Sequence, residues 1–363
     1  MSNSINWKEV LKFAGTYISV ILGSGFATGQ EILQFFSVHG LMSMGACVVC
    51  MVLLSFCGAS LLDVGHSVKF KSNSDVFVHY CGKYIGTFFK GFIIIFMFST
   101  FVVMISGTGA TMNQYYGLNK YIGSFSMALL AVVSVLMGLN KVIDILGSIG
   151  PVIVIVSITI GAITLFNNFE ALSQVDNIVS NLEMTSAADH WLVSGALYAS
   201  FNITLAAPFL VGVGSTASNK KNCLYGGILG GCAFIVAAAI LNLGLLSDIQ
   251  NLYNAEVPTL LLAENIAPVF GIIFSIMLLG GIYSTATPLL WTVCSTFADE
   301  GTKKFKILVI VGAAIGFLGG RLPFAQLVNL VYPFSGAIGL MLIVAIFFKK
   351  IFNNKKEPTE SIE

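Results

Sequence analysis

Charge is scarce in this chain of 363 residues: only 10% are charged, and there is a single arginine, Arg321. An ordinary soluble domain carries about a quarter charged residues, so a water-soluble globule is excluded. The net charge of +1, from 18 basic and 17 acidic residues, leaves no broad field with which to hold nucleic acid or an acidic partner. Histidine is also rare. His39, His66, His79 and His190 are dispersed along the chain, and no metal-binding spacing emerges from them. Seven cysteines occur in mainly apolar surroundings, and no secretory cleavage pattern precedes the first apolar run, so a disulfide scaffold is not expected. Cys47 and Cys50 form a Cys-x-x-Cys pair, which inside an apolar run reads as small packing residues. No nucleotide-binding loop, nucleophile elbow or paired acid–base constellation occurs, and an enzyme is not expected.

What is abundant is apolar chain, 56% of all residues. Uncharged runs occupy 41–62, 91–119, 121–140, 145–169, 191–219, 222–247, 265–298 and 322–348. Each is long enough to cross a bilayer as a helix, which takes about 20 residues. Two further runs are less clean. Phe13–Phe36 contains one carboxylate, Glu31, and the 14 residues between Lys306 and Arg321 must borrow length from snorkelling ends. The expectation is an all-α polytopic membrane protein of ten spans. Lysine and arginine collect on cytoplasmic loops. With the amino terminus inside, ten spans place 16 of the basic residues inside and leave only Lys120 and Arg321 outside. Both termini are then cytoplasmic. The outer loops 166–190 and 247–266 carry Glu170, Asp176, Glu183, Asp189, Asp248, Glu256 and Glu264 without a lysine or arginine, and are expected to be folded.

Spans 1–5 pair with spans 6–10 at an offset of about 180 residues. Because five is odd, the second copy is inverted, an organisation common in secondary transporters that puts the solute near the midplane between the repeats. The expected division is 1–170 for the first repeat, 171–348 for the second and 349–363 for a charged cytoplasmic tail. In span 1, Gly23-Ser24-Gly25-Phe26-Ala27-Thr28-Gly29 is followed by Gln30 and Glu31. Three glycines in seven residues favour an unwound stretch, tolerated in a membrane only where it faces protein, water or ligand. Close packing through small residues is the other reading. Span 6 carries Asn202 and Thr204 ahead of Pro208. Either it is broken like span 1, or it bears a proline kink whose freed carbonyl is satisfied by Thr204.

This pattern resembles the leucine-transporter fold of the amino acid-polyamine-organocation superfamily, and Gly23–Glu31 is similar to the signature of the YkvI-type bacterial membrane proteins. The resemblance runs from Trp7 to about Phe348. It implies breaks in helices 1 and 6, a bacterial cytoplasmic-membrane location, and a sodium-coupled importer of a small amino acid or related zwitterion working by alternating access. Lipid is then the only other partner, and a monomer is expected. It implies that Gly23, Ser24, Gly25 and Phe26 face a substrate carboxylate through their amides, that Phe201 covers the substrate with Asn202 and Thr204 nearby, and that Phe98, Ser99 and Val102 border a side-chain pocket.

For sodium the resemblance implies the hydroxyls of Ser284 and Thr285 with oxygens of Gly281, Ser19 and Leu22, a set of five without a carboxylate that suits a hard cation. The competing reading is that both hydroxyls bond back to carbonyls one turn earlier. A lysine that replaces the ion in one form of the fold has no counterpart between Val142 and Phe166. A second sodium is not implied, since Phe26 stands where the neurotransmitter-transporter branch has an asparagine. Glu31 and Arg321 match an outer gate with its signs exchanged, and Trp7, Lys8 and Lys12 an inner one closing on Asp299 or Glu300. Ordinary interface charge is the competing reading of the inner group. Proton coupling through Glu31, a non-transporting ligand sensor and a passive channel are the alternatives in function.

Overall fold

The computed structural model describes residues 5–22, 24–138 and 149–353. The chain is helical, and its helices are numbered here in order. The expected first crossing is made of α1 (Trp7–Ile21), α2 (Ser24–Thr28) and α3 (Gln30–Phe35). Then come α4 (Ser43–Ser67), α5 (Asp75–Tyr116), α6 (Lys120–Met137), α7 (Ile149–Asn167) and the short α8 (Val175–Val179). The second half contains α9 (Trp191–Gly214), α10 (Lys220–Leu246), the short α11 (Ile249–Leu252), α12 (Pro258–Ile266), α13 (Pro268–Ser295), α14 (Lys303–Gly319) and α15 (Phe324–Asn353). Residues 139–148, where the fifth span was expected to begin, and 354–363, most of the expected tail, lie outside the described residues.

Seven of these helices are long and apolar enough to cross a membrane, or eight if α7 and the segment Phe169–Val179, bent by 80°, are one span. Two of the ten expected spans fall short for physical reasons. The first crossing is divided, and α14 has only 17 residues beginning at its own lysines. The apolar side chains Ile95, Leu129, Ile276 and Val311 are exposed on helix faces, which suits contact with lipid. The charged stretch ahead of span 3 is itself helical. α5 starts at Asp75, turns at Gly82 (φ +75°) and continues to Tyr116, with Lys90 paired to Asp75 across the turn.

α4, α9 and α10 form the packed centre, with α1 against α10 and α15 against α9. Small residues set these crossings. A methyl group on Gly214 of α9 would lie 2.1 Å from the Leu62 carbonyl oxygen of α4, and one on Gly65 of α4 would lie 2.2 Å from that of Val211. Backbones meet because side chains are missing, the usual device where lipid is as apolar as the core. Polar residues inside pair with one another: Ser37 donates to Asn242 and Asn242 to Ser43, both at 2.8 Å.

The acidic loops are folded, and three of their carboxylates hold structure. Asp176 accepts from the Leu41 N–H at 2.8 Å, Glu256 from the Ala325 N–H at 3.0 Å, and Asp248 from the Asn251 and Asn265 amides. Gln114 and Val257 exchange two hydrogen bonds of 2.9 Å, tying the end of α5 to the start of α12.

Candidate functional site

The first crossing winds regularly to Ile21 and then stops. Leu22 still donates its N–H to the Ile18 carbonyl at 2.9 Å, but its own backbone has left the helix (φ −86°, ψ 84°). One short turn follows, Ser24–Thr28, and a second stop comes at Gly29 with φ +80°. That left-handed conformation is open to glycine without steric cost. Thr28 closes the turn by donating its hydroxyl to the Gly25 carbonyl at 2.7 Å, and it accepts from the Gln30 N–H at 3.3 Å.

Beyond the second stop, Glu31 folds back over the turn. A methyl group on Gly25 would lie only 1.8 Å from Glu31 Oε1. The side chain is 3% exposed, and Tyr198 of α9 donates its hydroxyl to Oε2 at 3.4 Å. Among the described residues the ion pairs join Lys90 to Asp75 and Lys220 and Lys350 to Asp63, so no cation pairs with Glu31.

A cavity of about 320 Å³ opens beside this turn. Ser19 and Leu22 line it from the end of α1, Glu31 from α3, Phe201 and Asn202 from α9, and Ser284 and Thr285 from α13. Seven residues singled out in the sequence are thus brought together. The remainder of the wall includes Phe96, Met97 and Thr100 of α5 and Tyr332 of α15, none of which the sequence reading named. Phe201 stacks on Tyr332 with centroids 4.9 Å apart and planes 10° apart, while Phe96 meets both rings edge-on at 6.5 Å.

Other expected residues are placed elsewhere. Gly23 lies outside the described residues, and of Ser24 only the backbone is described. Phe26 is buried against Phe234 at 5.4 Å, and Gly25 is covered by Glu31. Thr204 donates to the Ser200 carbonyl at 2.8 Å and faces Gly339 of α15. On α5 the expected face is rotated. Val102 packs against Gly319 and Phe98 near Gly312, both of α14, while Ser99 lines a different groove with Leu330 and Val331.

α9 is not broken: it runs as one helix from Trp191 to Gly214 with Pro208 inside it. A proline removes one N–H, and no glycine lies between Ala199 and Ala207 to release the backbone further. Asn202 and Thr204 instead bond back to carbonyls four residues earlier, those of Tyr198 and Ser200. The Glu31–Arg321 pair is not formed either. The Arg321 guanidinium sits 4.9 Å above the Tyr121 ring on an exposed residue, whereas Glu31 is turned inward by its fold over Gly25.

At the amino-terminal end of α1 Trp7 lies 6.1 Å from Tyr225, and neither Lys8 nor Lys12 pairs with Asp299 or Glu300 among the described residues. The tie there is made by Glu9, which accepts from the Ser218 N–H at 2.7 Å and from Asn222 Nδ2 at 2.8 Å. Ser284 and Thr285 both donate to the Gly281 carbonyl, at 2.8 and 3.1 Å, and Ser19 donates to that of Gly15 at 2.9 Å. A hydroxyl that donates keeps its acceptor lone pairs, so the oxygens of Ser284 and Thr285 can still face a cation. Gly281 is the poorest member of the set, since its carbonyl already accepts twice and a methyl group on its Cα would meet Ile153 at 2.3 Å.

No family model matches the chain. It is 22% identical over 348 residues to the uncharacterized membrane protein YkvI of Bacillus subtilis, covering 93% of this chain and 95% of the relative. It is 23% identical over 352 residues to the uncharacterized protein YyaD of the same organism, covering 96% and 99%. Among solved structures it superposes on MhsT in complex with L-phenylalanine with a TM-score of 0.66, at 14% identity over 93% of this chain and 88% of the other. For a Na+-coupled sialic acid symporter in a substrate-bound outward-open state the TM-score is 0.52, at 12% identity over 99% and 100%. For a manganese transporter of Eremococcus coleocola it is 0.60, at 13% identity over 99% and 84%. These likenesses, together with the interruption after Ile21, show a chain similar along nearly its whole length to the YkvI and YyaD proteins and built on the leucine-transporter fold.

Proposed function

We propose that this chain is a secondary active transporter that couples sodium to the import of a small solute bearing an ammonium group, by alternating access around its first crossing and α9. The solute class expected from the sequence, a small amino acid or related zwitterion, brings such a group. One observation carries the reading. The unwound end of α1, the aromatic face of α9 and the paired hydroxyls of α13 line one cavity of about 320 Å³, a size that suits a small molecule. Solved structures of the same fold that hold L-phenylalanine or couple to Na+ support it.

In this reading sodium is a co-substrate bound by the Ser284 and Thr285 hydroxyls with oxygens of Ser19 and Leu22. Its binding favours the outward-open state, and the solute permits closure. The protein would cross the bacterial cytoplasmic membrane ten times as an inverted repeat, with both termini inside, and act as a monomer.

Uptake into proteoliposomes with and without a sodium gradient, over a panel of amino acids and amines, tests this. Accumulation that follows the sodium gradient is expected, and equal uptake in potassium would sink sodium coupling. A second reading, proton coupling through Glu31, is favoured by the burial of that carboxylate without a cation. Full pH-driven uptake by Glu31→Gln would eliminate it.

A further inference from the structure

The cavity carries its own carboxylate: Glu31 lines it and lies directly over Gly25 of the short turn. A second carboxylate brought in by the solute would meet like charge at close range in a buried space. Among the described residues no lysine, arginine or histidine lines the cavity, and besides Glu31 the titratable side chain on its wall is Tyr332. Tyr198, beneath Glu31, contributes a neutral hydroxyl.

A carboxylate buried without a positive partner is costly and demands either a proton or a cation. The rest of the wall favours an organic cation. Phe96, Phe201 and Tyr332, each at most 4% exposed, form a tight aromatic cluster on that wall. Ring faces attract ammonium groups, most strongly where water is excluded. Thr100 and Asn202 add oxygen acceptors: the Thr100 hydroxyl donates to the Phe96 carbonyl and the Asn202 amide to that of Tyr198, both at 2.9 Å, which leaves their oxygen lone pairs to accept.

We propose that the solute is a small organic amine of net positive charge that lacks a carboxylate, with Glu31 as its counter-charge and the Phe96–Phe201–Tyr332 cluster as its apolar wall. The proposal rests on the reading of this cavity as the solute site, but not on flux through it.

The test uses the full chain purified in detergent and pairs of compounds that differ only by a carboxylate: 3-methylbutylamine with leucine, and 2-phenylethylamine with phenylalanine. Isothermal titration and thermal unfolding are read in sodium and in potassium. In the wild type each amine is expected to bind at least tenfold more tightly than its amino acid. In Glu31→Gln the amines are expected to bind about a hundredfold more weakly, the scale of a lost buried charge pair, while the amino acids hold or gain affinity. Glu31→Asp keeps the charge and should keep the preference for the amine, which separates a binding role from a structural one.

Amino acids that bind as tightly as their amines overturn the proposal. So does amine affinity unchanged in Glu31→Gln, which would leave Glu31 a proton carrier, and so does a wild type that binds none of the amines. Amine binding without uptake in proteoliposomes would sink the transporter reading and leave this one standing. Amino-acid uptake with no amine binding would do the reverse.

Discussion

The first crossing and α9 face each other across the same cavity, yet one is interrupted twice and the other is continuous. Both contain a helix-disrupting feature: three glycines between Gly23 and Gly29, and Pro208. The difference lies in what each residue permits. Proline deletes one donor but holds φ near its helical value, so a helix absorbs it with a local bend. Glycine opens a region of backbone space that other residues avoid, and Gly29 uses it at φ +80°. Once the chain has turned there, Thr28 caps the short turn and Glu31 closes over Gly25, which fixes the turn in place. Backbone freedom, more than a missing hydrogen bond, decides which helix opens.

The largest test of this contrast is Gly29→Ala. A side chain there is strained at positive φ and would lie 2.4 Å from Thr259 Oγ1. A loss of about 3 kcal/mol is expected from strain and overpacking together, read as the unfolding midpoint of the purified protein; an unchanged midpoint would mean that the turn can rewind. Second, sodium at a hundred times its dissociation constant should stabilise the wild type by about 2.7 kcal/mol. Ser284→Ala with Thr285→Ala should remove that increment while leaving stability in potassium nearly intact, and a sodium response equal to the wild type's would take both hydroxyls out of the site.

On the continuous side, Thr204→Val should cost about 1 kcal/mol, the worth of its bond to the Ser200 carbonyl, with solute affinity unchanged because the residue faces α15. Smallest is Pro208→Ala, which restores a helical N–H in a helix already wound. A change below about 1 kcal/mol in the same unfolding assay is expected, and a collapse of binding would show that the proline shapes the cavity after all.

Much of the fold was legible in the sequence because the membrane imposes length and polarity on every span. The interruption of the first crossing was equally legible from its glycines. The cavity was half legible. Asn202, Ser284 and Thr285 stood out by their polarity inside apolar runs, Ser19, Leu22 and Phe201 came only from the family resemblance, and all six line it. The face of α5 was not. Phe98 and Val102 differ from Phe96 and Thr100 by two residues, a rotation of about 200°, and a helix apolar on all sides carries no stripe to set its rotation.

Side-chain direction was out of reach too. Nothing in the order of residues says that Glu31 turns back over Gly25 and away from Arg321, or that Glu9 and not Lys8 fastens the start of α1. Tyr198 and Tyr332 were missed for a similar reason, although Tyr198 stands one helical turn before Phe201 and that spacing could have drawn attention to it.

The seat of Glu31 on Gly25 ties two positions into one choice. A bulkier residue at 25 would evict the acid, so an acid seated this way at 31 requires glycine at 25. Across relatives the two sites should therefore change in concert.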